Sequence, residues 1–160
     1  MGVWLGPRGA SELVIDLASL TAKGDKWNGT EYVDALAPTI TPAAGTVSIA
    51  KTWYPSGGGY GNDKAGIAVS GALDLTDYSK IIVDVSAVSG VGHVAVYVST
   101  SNTDFSRSRD LVNLYDQPAG TLELNVSGLT GTYYFGIAIE ATGQASNTKT
   151  ITISSIEATK

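Results

Sequence analysis

The chain has 160 residues, among them 19 Gly, 8 Tyr and 3 Trp but no Cys, with 43% hydrophobic and 16% charged residues. A length of this order folds as one unit that needs no disulfide or metal staple, and the absence of Cys excludes thiolate nucleophiles, Cys-ligated zinc, iron–sulfur clusters and a disulfide framework. Ten basic residues against fifteen acidic ones give a net charge of -5, and no Lys/Arg cluster is denser than Arg107 and Arg109, so no nucleic-acid partner is expected.

Met1 to Leu13 has no basic region followed by an apolar one, and no apolar run approaches the roughly 18 residues of a membrane span. Neither a signal peptide nor a membrane partner is therefore expected. Met1-Gly2 opens like a myristoylation signal, but Gly6 stands where that signal wants Ser or Thr. Residues 1–12 read as an extended N-terminal arm on a single domain spanning 1–160. Helical periodicity is nearly absent from the chain, and period-two alternation takes its place.

Leu13 to Leu20 reads as a first strand. Asp25 to Tyr32 carries Asn28-Gly29 between two β-favouring pieces, a strong hairpin signal because both residues tolerate positive φ. Thr46 to Thr52 is the next strand, and from there to Asp63 the Gly-rich sequence Thr52-Trp53-Tyr54-Pro55-Ser56-Gly57-Gly58-Gly59-Tyr60-Gly61-Asn62-Asp63 reads as a loop. Ala65 to Val69 and Ala72 to Leu75 are short strands. In Lys80 to Ser86, Ile81, Val83 and Val85 share one face and Ile82, Asp84 and Ser86 the other, as a half-buried strand requires. Gly92 to Thr100 repeats this with Val94, Val96 and Val98 inward and His93, Ala95, Tyr97 and Ser99 outward. Asn102 to Gln117 reads as a long connection with one helical turn near Arg107 to Leu114. Leu122, Leu124 and Val126 form a face opposite Thr121, Glu123 and Asn125. Tyr133 to Ile139 is apolar on both sides, the pattern of a central strand covered on two faces. Thr148 to Ile156 closes the chain, with Ser154-Ser155 shifting the phase between Ile153 and Ile156 as a β-bulge would.

About nine or ten strands at a spacing of roughly 8 to 12 residues define an all-β, two-sheet antiparallel β-sandwich. No Cys pair brackets a buried Trp, and long connections replace regular hairpins, which favours a jelly roll over an immunoglobulin-like arrangement. Four segments carry a resemblance: Leu73-Asp74-Leu75-Thr76-Asp77-Tyr78-Ser79-Lys80-Ile81-Ile82-Val83-Asp84-Val85-Ser86, Val94-Ala95-Val96-Tyr97-Val98-Ser99, Tyr133-Tyr134-Phe135-Gly136-Ile137-Ala138 and Thr150-Ile151-Thr152-Ile153-Ser154-Ser155-Ile156-Glu157-Ala158. Over roughly residues 65–158 the order resembles jelly-roll modules of minor structural and tail proteins in phages of Gram-positive bacteria, which are similar to carbohydrate-binding modules and galactose-binding-like domains. In the Leu73 to Lys80 step, Leu73 and Leu75 are expected to enter the core, Asp77 to cap the turn and Tyr78 to cover the sandwich edge. The resemblance implies a non-catalytic phage or prophage module made in a bacterial cytoplasm, with host-envelope glycans or other virion subunits as partners. Homo-oligomerisation stays open.

The chemistry-bearing candidates are few. Trp53, Tyr54 and Tyr60 lie within eight residues beside Asn62, spaced by glycines that let a backbone approach a ligand, and exposed rings of this kind stack on the apolar faces of sugars. Trp27 and Tyr32 flank the Asn28-Gly29 turn and either extend that surface or pair across the hairpin. The structural alternative is that Trp53 ends a strand in the core and Tyr60 lids the sheet. The rival to a glycan-binding module is a purely architectural virion subunit, a decoration, tail or fibre component whose aromatic loops pack against protein partners only. Among the carboxylates nothing marks a desolvated acid of glycosidase type, and His93, Tyr97 and Arg107 are the set a polysaccharide lyase would need. No Gly-x-Ser-x-Gly elbow and no phosphate loop is present. No catalytic residue, resident metal or cofactor is expected; Asp16, Glu140 and Glu157 are the candidates for a structural calcium, which the resemblance implies near the chain ends.

Overall fold

In a computed structural model the chain is described over residues 12–24, 26–27, 32–33, 37–53, 66–102, 110–141 and 147–160. Fourteen strands occur in these residues: β1 (Leu13–Val14), β2 (Thr21–Gly24), β3 (Lys26–Trp27), β4 (Tyr32–Val33), β5 (Thr39–Ala43), β6 (Thr46–Trp53), β7 (Gly66–Val69), β8 (Leu73–Asp74), β9 (Lys80–Ser89), β10 (Gly92–Ser99), β11 (Asp110–Tyr115), β12 (Gly120–Asn125), β13 (Thr132–Ala141) and β14 (Asn147–Thr159). Ten of them run to four residues or more, matching the expectation from sequence spacing, and the other four are two-residue pieces at edges and in a hairpin.

Apart from the two-stranded β3–β4 hairpin, the strands form two antiparallel sheets. The first has the order β12-β9-β14-β6-β5, with β1 on the end of β14; the second has the order β11-β10-β13-β7-β2, with β8 on β13. From β6 onward each long strand lies in the other sheet from its predecessor, β10 to β11 excepted. That produces the paired four-strand orders β6-β14-β9-β12 and β7-β13-β10-β11. Two interleaved Greek keys of this kind are the jelly roll.

The alternation read from the sequence supplies the core. Ile49, Ile81, Val83, Leu124, Ile151, Ile153 and Ile156 of the first sheet meet Val94, Val96, Val98, Phe135, Ile137 and Ile139 of the second, all with at most 5% of their surface exposed. Ser154 and Ser155 form the expected bulge. The β14–β9 register shifts between Thr152 and Ser155, which returns Ile156 to the core phase. Both serine hydroxyls donate to Asp84, Ser154 to its carbonyl at 3.2 Å and Ser155 to its carboxylate at 3.0 Å. The fully buried Val83 and the half-buried Ile82 give the first test of this layering. Val83→Ala is expected to cost about 1 to 3 kcal/mol and Ile82→Ala clearly less, because only the former opens a cavity between sheets. Chemical denaturation of both variants decides; an Ile82→Ala loss as large as the Val83→Ala loss would mean that β9 is buried on both faces.

Tertiary context redirected three local expectations. Leu13 to Leu20 does not stay extended: after Val14 the chain enters a 3₁₀ turn, Leu17–Ser19, whose start Asp16 caps by accepting from the Ala18 amide at 2.9 Å. Asp110 to Leu114 is not a helical turn but most of β11, because pairing with β10 (Val96 opposite Leu114, Val98 opposite Val112) satisfies its backbone and docks Leu114 against the core. In the Leu73 to Lys80 step the capping residue is Asp74 rather than Asp77. Its carboxylate accepts from the Thr76 amide at 3.0 Å and hydroxyl at 2.6 Å, while Leu75 is fully buried and Leu73 and Tyr78 pack on the core.

The outer face of the second sheet is not wet. Val94, Val96 and Val98 point inward as expected, yet Tyr97 on the opposite face is only 1% exposed and clusters with Ile67 and Val69, against which Tyr134 and Ala138 pack. The central strand β13 is thus covered on both sides, as its sequence predicts.

Candidate functional site

Antiparallel pairing brings six strand ends to one end of the sandwich. Trp53 at the end of β6 faces Asn147 at the start of β14. Gly92 at the start of β10 faces Ala141 at the end of β13, Gly66 at the start of β7 faces Ile139, and Tyr115 at the end of β11 faces Ala95. The turn Gly90-Val91 joins β9 to β10 here, tying the two sheets' ends together. Gly24, opposite Gly66, leads into the β3–β4 hairpin, where Trp27 and Tyr32 stand opposite each other.

The topology therefore brings Trp27, Tyr32 and Trp53 to one end, and the cross-strand pairing expected of Trp27 and Tyr32 is the observed register. Strand β6 runs on to Trp53, one residue beyond the expected Thr46 to Thr52. Tyr54, Tyr60 and Asn62, in the connection from β6 to β7, lie outside the described residues, as does Arg107. Tyr97 is buried, so it is not the exposed phenol a lyase would require. Of the three calcium candidates, Asp16 and Glu157 line one shallow depression of about 390 Å³, whereas Glu140 lies at the other end of the sandwich, opposite His93. Among the described residues no three His, Asp or Glu side chains come together as a metal site would need.

At the same end, on the opposite edge of the second sheet, lies a cluster of which sequence patterning singled out His93 alone. Tyr115 is 37% exposed, the one aromatic ring among the exposed large hydrophobic residues described. The His93 ring stacks beside it, centroids 5.3 Å apart and planes 24° from parallel. His93 Nδ1 lies 2.5 Å from Asp116 Oδ2, and since a carboxylate only accepts, Nδ1 carries the proton. Asp116 Oδ1 also accepts from the Val94 amide at 3.0 Å, and its own amide donates to the Val94 carbonyl at 2.8 Å. Partial burial pushes the Asp116 carboxyl up, but the Val94 amide, the His93 hydrogen bond and the charges of His93 and Lys149 outweigh it and hold it below the usual range. Beside this cluster Gly92, Val94, Asp116, Gln117, Pro118 and Lys149 border a depression of about 380 Å³. The signal that could have found it was the Val112, Leu114 alternation running directly into Tyr115-Asp116.

Two further carboxyls sit low: Asp74, held by the Thr76 hydroxyl and then its amide, and Asp84, held by the Thr121 hydroxyl and then that of Ser155. A depressed native pKa stabilises above the unfolded value, near 4, and that contribution is lost as pH falls through the native one. The melting temperature is expected not to change through these groups between pH 7 and 5, where their contribution is fully present, and to fall below about pH 4. An Asp74→Asn/Asp84→Asn/Asp116→Asn variant should show a shallower acid fall in calorimetry; an unchanged acid limb would remove these three from the account.

The arrangement defines a two-sheet jelly-roll sandwich with shallow surface depressions and a stacked, exposed Tyr115–His93 pair at one end. No protein-family model and no curated protein matches the chain. Solved structures do share the fold. One is a low-affinity xylan-binding module from the gut symbiont Roseburia intestinalis, with a TM-score of 0.50 at 11% identity over 91% of this chain and 96% of that one. Another is a cleaved adhesin domain of Lys-gingipain from Porphyromonas gingivalis, with a TM-score of 0.51 at 18% identity over 93% of this chain and 98% of that one. At these identities the likeness establishes the β-sandwich.

Proposed function

We propose that the protein is a non-catalytic glycan-binding module whose ligand meets the aromatic end of the sandwich. The observation that carries this is the exposed, stacked Tyr115–His93 pair at the sandwich end to which the strands carrying Trp27, Tyr32 and Trp53 also run, toward the opposite edge of the second sheet. Rings on a rigid sheet end offer desolvated area to the C–H faces of sugars at small entropic cost. The descriptions of the two similar structures, a xylan-binding module and an adhesin domain, support a binding role. Neither is described as a phage protein, so a setting in a phage or prophage particle, with other virion subunits as partners, rests on the resemblance over residues 65–158. A shallow site with two or three rings binds an oligosaccharide at micromolar to millimolar strength, about -4 to -8 kcal/mol, and several copies on one particle would convert that into firm attachment.

Tyr60 supplies the test, because Gly57-Gly58-Gly59 before it carries a large ordering entropy without side-chain packing. Retention of the full chain on immobilised xylan and on Gram-positive cell-wall polysaccharide is expected for the wild type. Tyr60→Ala is expected to abolish that retention with a melting temperature changed by less than about 2 °C, the range of an ordinary surface substitution. Wild-type protein retained on no glycan, or a Tyr60→Ala variant that unfolds, would defeat the glycan reading in favour of an architectural role with protein partners only.

A further inference from the structure

The Tyr115–His93–Asp116 cluster is built more rigidly than a solvated strand edge requires. Asp116 is the one non-glycine residue described with a left-handed backbone, φ 49, a conformation Asp tolerates better than most residues but at a cost. Three hydrogen bonds hold it there, two with the Val94 backbone and one with His93. Gln117 adds a fourth restraint, its side-chain amide donating to the Tyr115 carbonyl at 3.0 Å. The His93 ring, 44% exposed, is thereby fixed in orientation against Tyr115, itself 37% exposed. A paired, immobilised aromatic surface with polar atoms at its rim is what a sugar ring needs: an apolar area for its C–H face and fixed acceptors and donors for its hydroxyls.

Charge selects among sugars. Asp116 contributes a negative charge, Glu140 stands opposite His93 in the β10–β13 register, and Lys149 approaches Asp116 from the other sheet. A carboxylated sugar stacked on Tyr115 would bring its charge close to Asp116, which has already taken the favourable contacts of His93 and Val94. An uncharged ring meets no such repulsion.

We propose that Tyr115, His93 and Asp116 form a stacking subsite for an uncharged pyranose at the edge of the second sheet. This rests on the glycan-binding reading and deepens it by naming residues and ligand class. Tyr115 and His93 supply the platform, Asp116 is the positioning residue that locks the imidazole, and Nε2 of His93 and the Gln117 side chain are the rim groups for hydroxyls.

The test is titration of the uniformly ¹⁵N-labelled full chain with xylohexaose and cellohexaose, and in parallel with hexagalacturonate, followed by amide shifts and calorimetry. At least one neutral hexasaccharide is expected to shift the amides of residues 92–94 and 114–117, and hexagalacturonate to bind at least tenfold more weakly. Tyr115→Ala is expected to weaken the neutral ligand about tenfold or more, the loss of one stacking contact, and Tyr115→Phe to keep affinity within about twofold. Asp116→Asn is expected to lower affinity while Tyr115 amide shifts still report contact, a split that a merely structural role would not produce. If Tyr115→Ala fails to fold, His93→Ala and the wild-type shift map decide instead. Neutral ligand bound with no shift at 92–117, or with undiminished affinity in Tyr115→Ala or His93→Ala, overturns the subsite and leaves glycan binding standing. Equal binding of hexagalacturonate overturns the ligand class. No binding of any hexasaccharide by the wild type overturns the subsite, while retention on immobilised polysaccharide still decides the broader reading.

Discussion

Gly90→Ala is expected to cost about 3 kcal/mol or more, which lowers the melting temperature of a chain this long by roughly 6 to 12 °C. Two effects add. Gly90 sits in the β9–β10 turn with φ +84, where an L side chain costs about 1 to 2 kcal/mol. A Cβ there would also run into the Thr148 carbonyl and the Lys149 Cα. Those are backbone atoms at the start of β14, so relief requires moving a strand rather than turning a rotamer. The approach is consistent with the Lys149 ammonium donating to the Gly90 carbonyl at 3.3 Å. Thermal and urea unfolding check this, and a Gly90→Ala variant melting within 2 °C of wild type would mean that the turn has room to move.

Gly136→Ala is the second large effect, through side-chain packing rather than backbone strain. Gly136 lies opposite Tyr97 in the β10–β13 register, and a Cβ on it would enter the Tyr97 ring. That ring has nowhere to retreat, being 1% exposed and packed with Ile67 and Val69. Overpacking of this kind costs about 1 to 3 kcal/mol, with the upper value expected here. Tyr97→Leu alone also destabilises by leaving a cavity. In the double variant the smaller side chain makes room for the methyl, so the combined loss should fall short of the sum by about 1 kcal/mol or more. Additive losses in urea unfolding would show that the two residues do not share the space.

These effects show where local sequence ran out. The inward residues of β9 from Lys80 to Ser86, of β10 and of β12 were legible because a strand with one face toward a core must alternate every second residue, and β13 was legible as a strand apolar on both faces. The bulge in β14 was legible for the same reason, since two serines broke a phase that Ile156 then resumed. That Trp27 and Tyr32 pair across a hairpin was legible from the Asn28-Gly29 signal between them, but a two-residue turn would set Trp27 opposite Thr30, so the observed register was not.

Distant pairing decided the remainder. Nothing within Asp110 to Tyr115 says that β10 lies alongside, so a segment with mixed polarity became a strand only when its backbone groups found Val96 and Val98. Tyr97 alternates out of the core as its sequence position requires, but whether that outer face is wet depends on what the fold lays over it, which no strand encodes by itself. The functional end has the same origin. Tyr115 and His93 belong to different strands, and only the diagonal offset of two antiparallel neighbours stacks one ring on the other. The sequence alone determined that this chain is an all-β sandwich with aromatics grouped near its turns, because alternation and turn chemistry act over neighbouring residues. The tertiary structure decided the jelly-roll strand order, the covered second face and the meeting of Tyr115, His93 and Asp116, because each depends on contacts between residues that only strand pairing brings together.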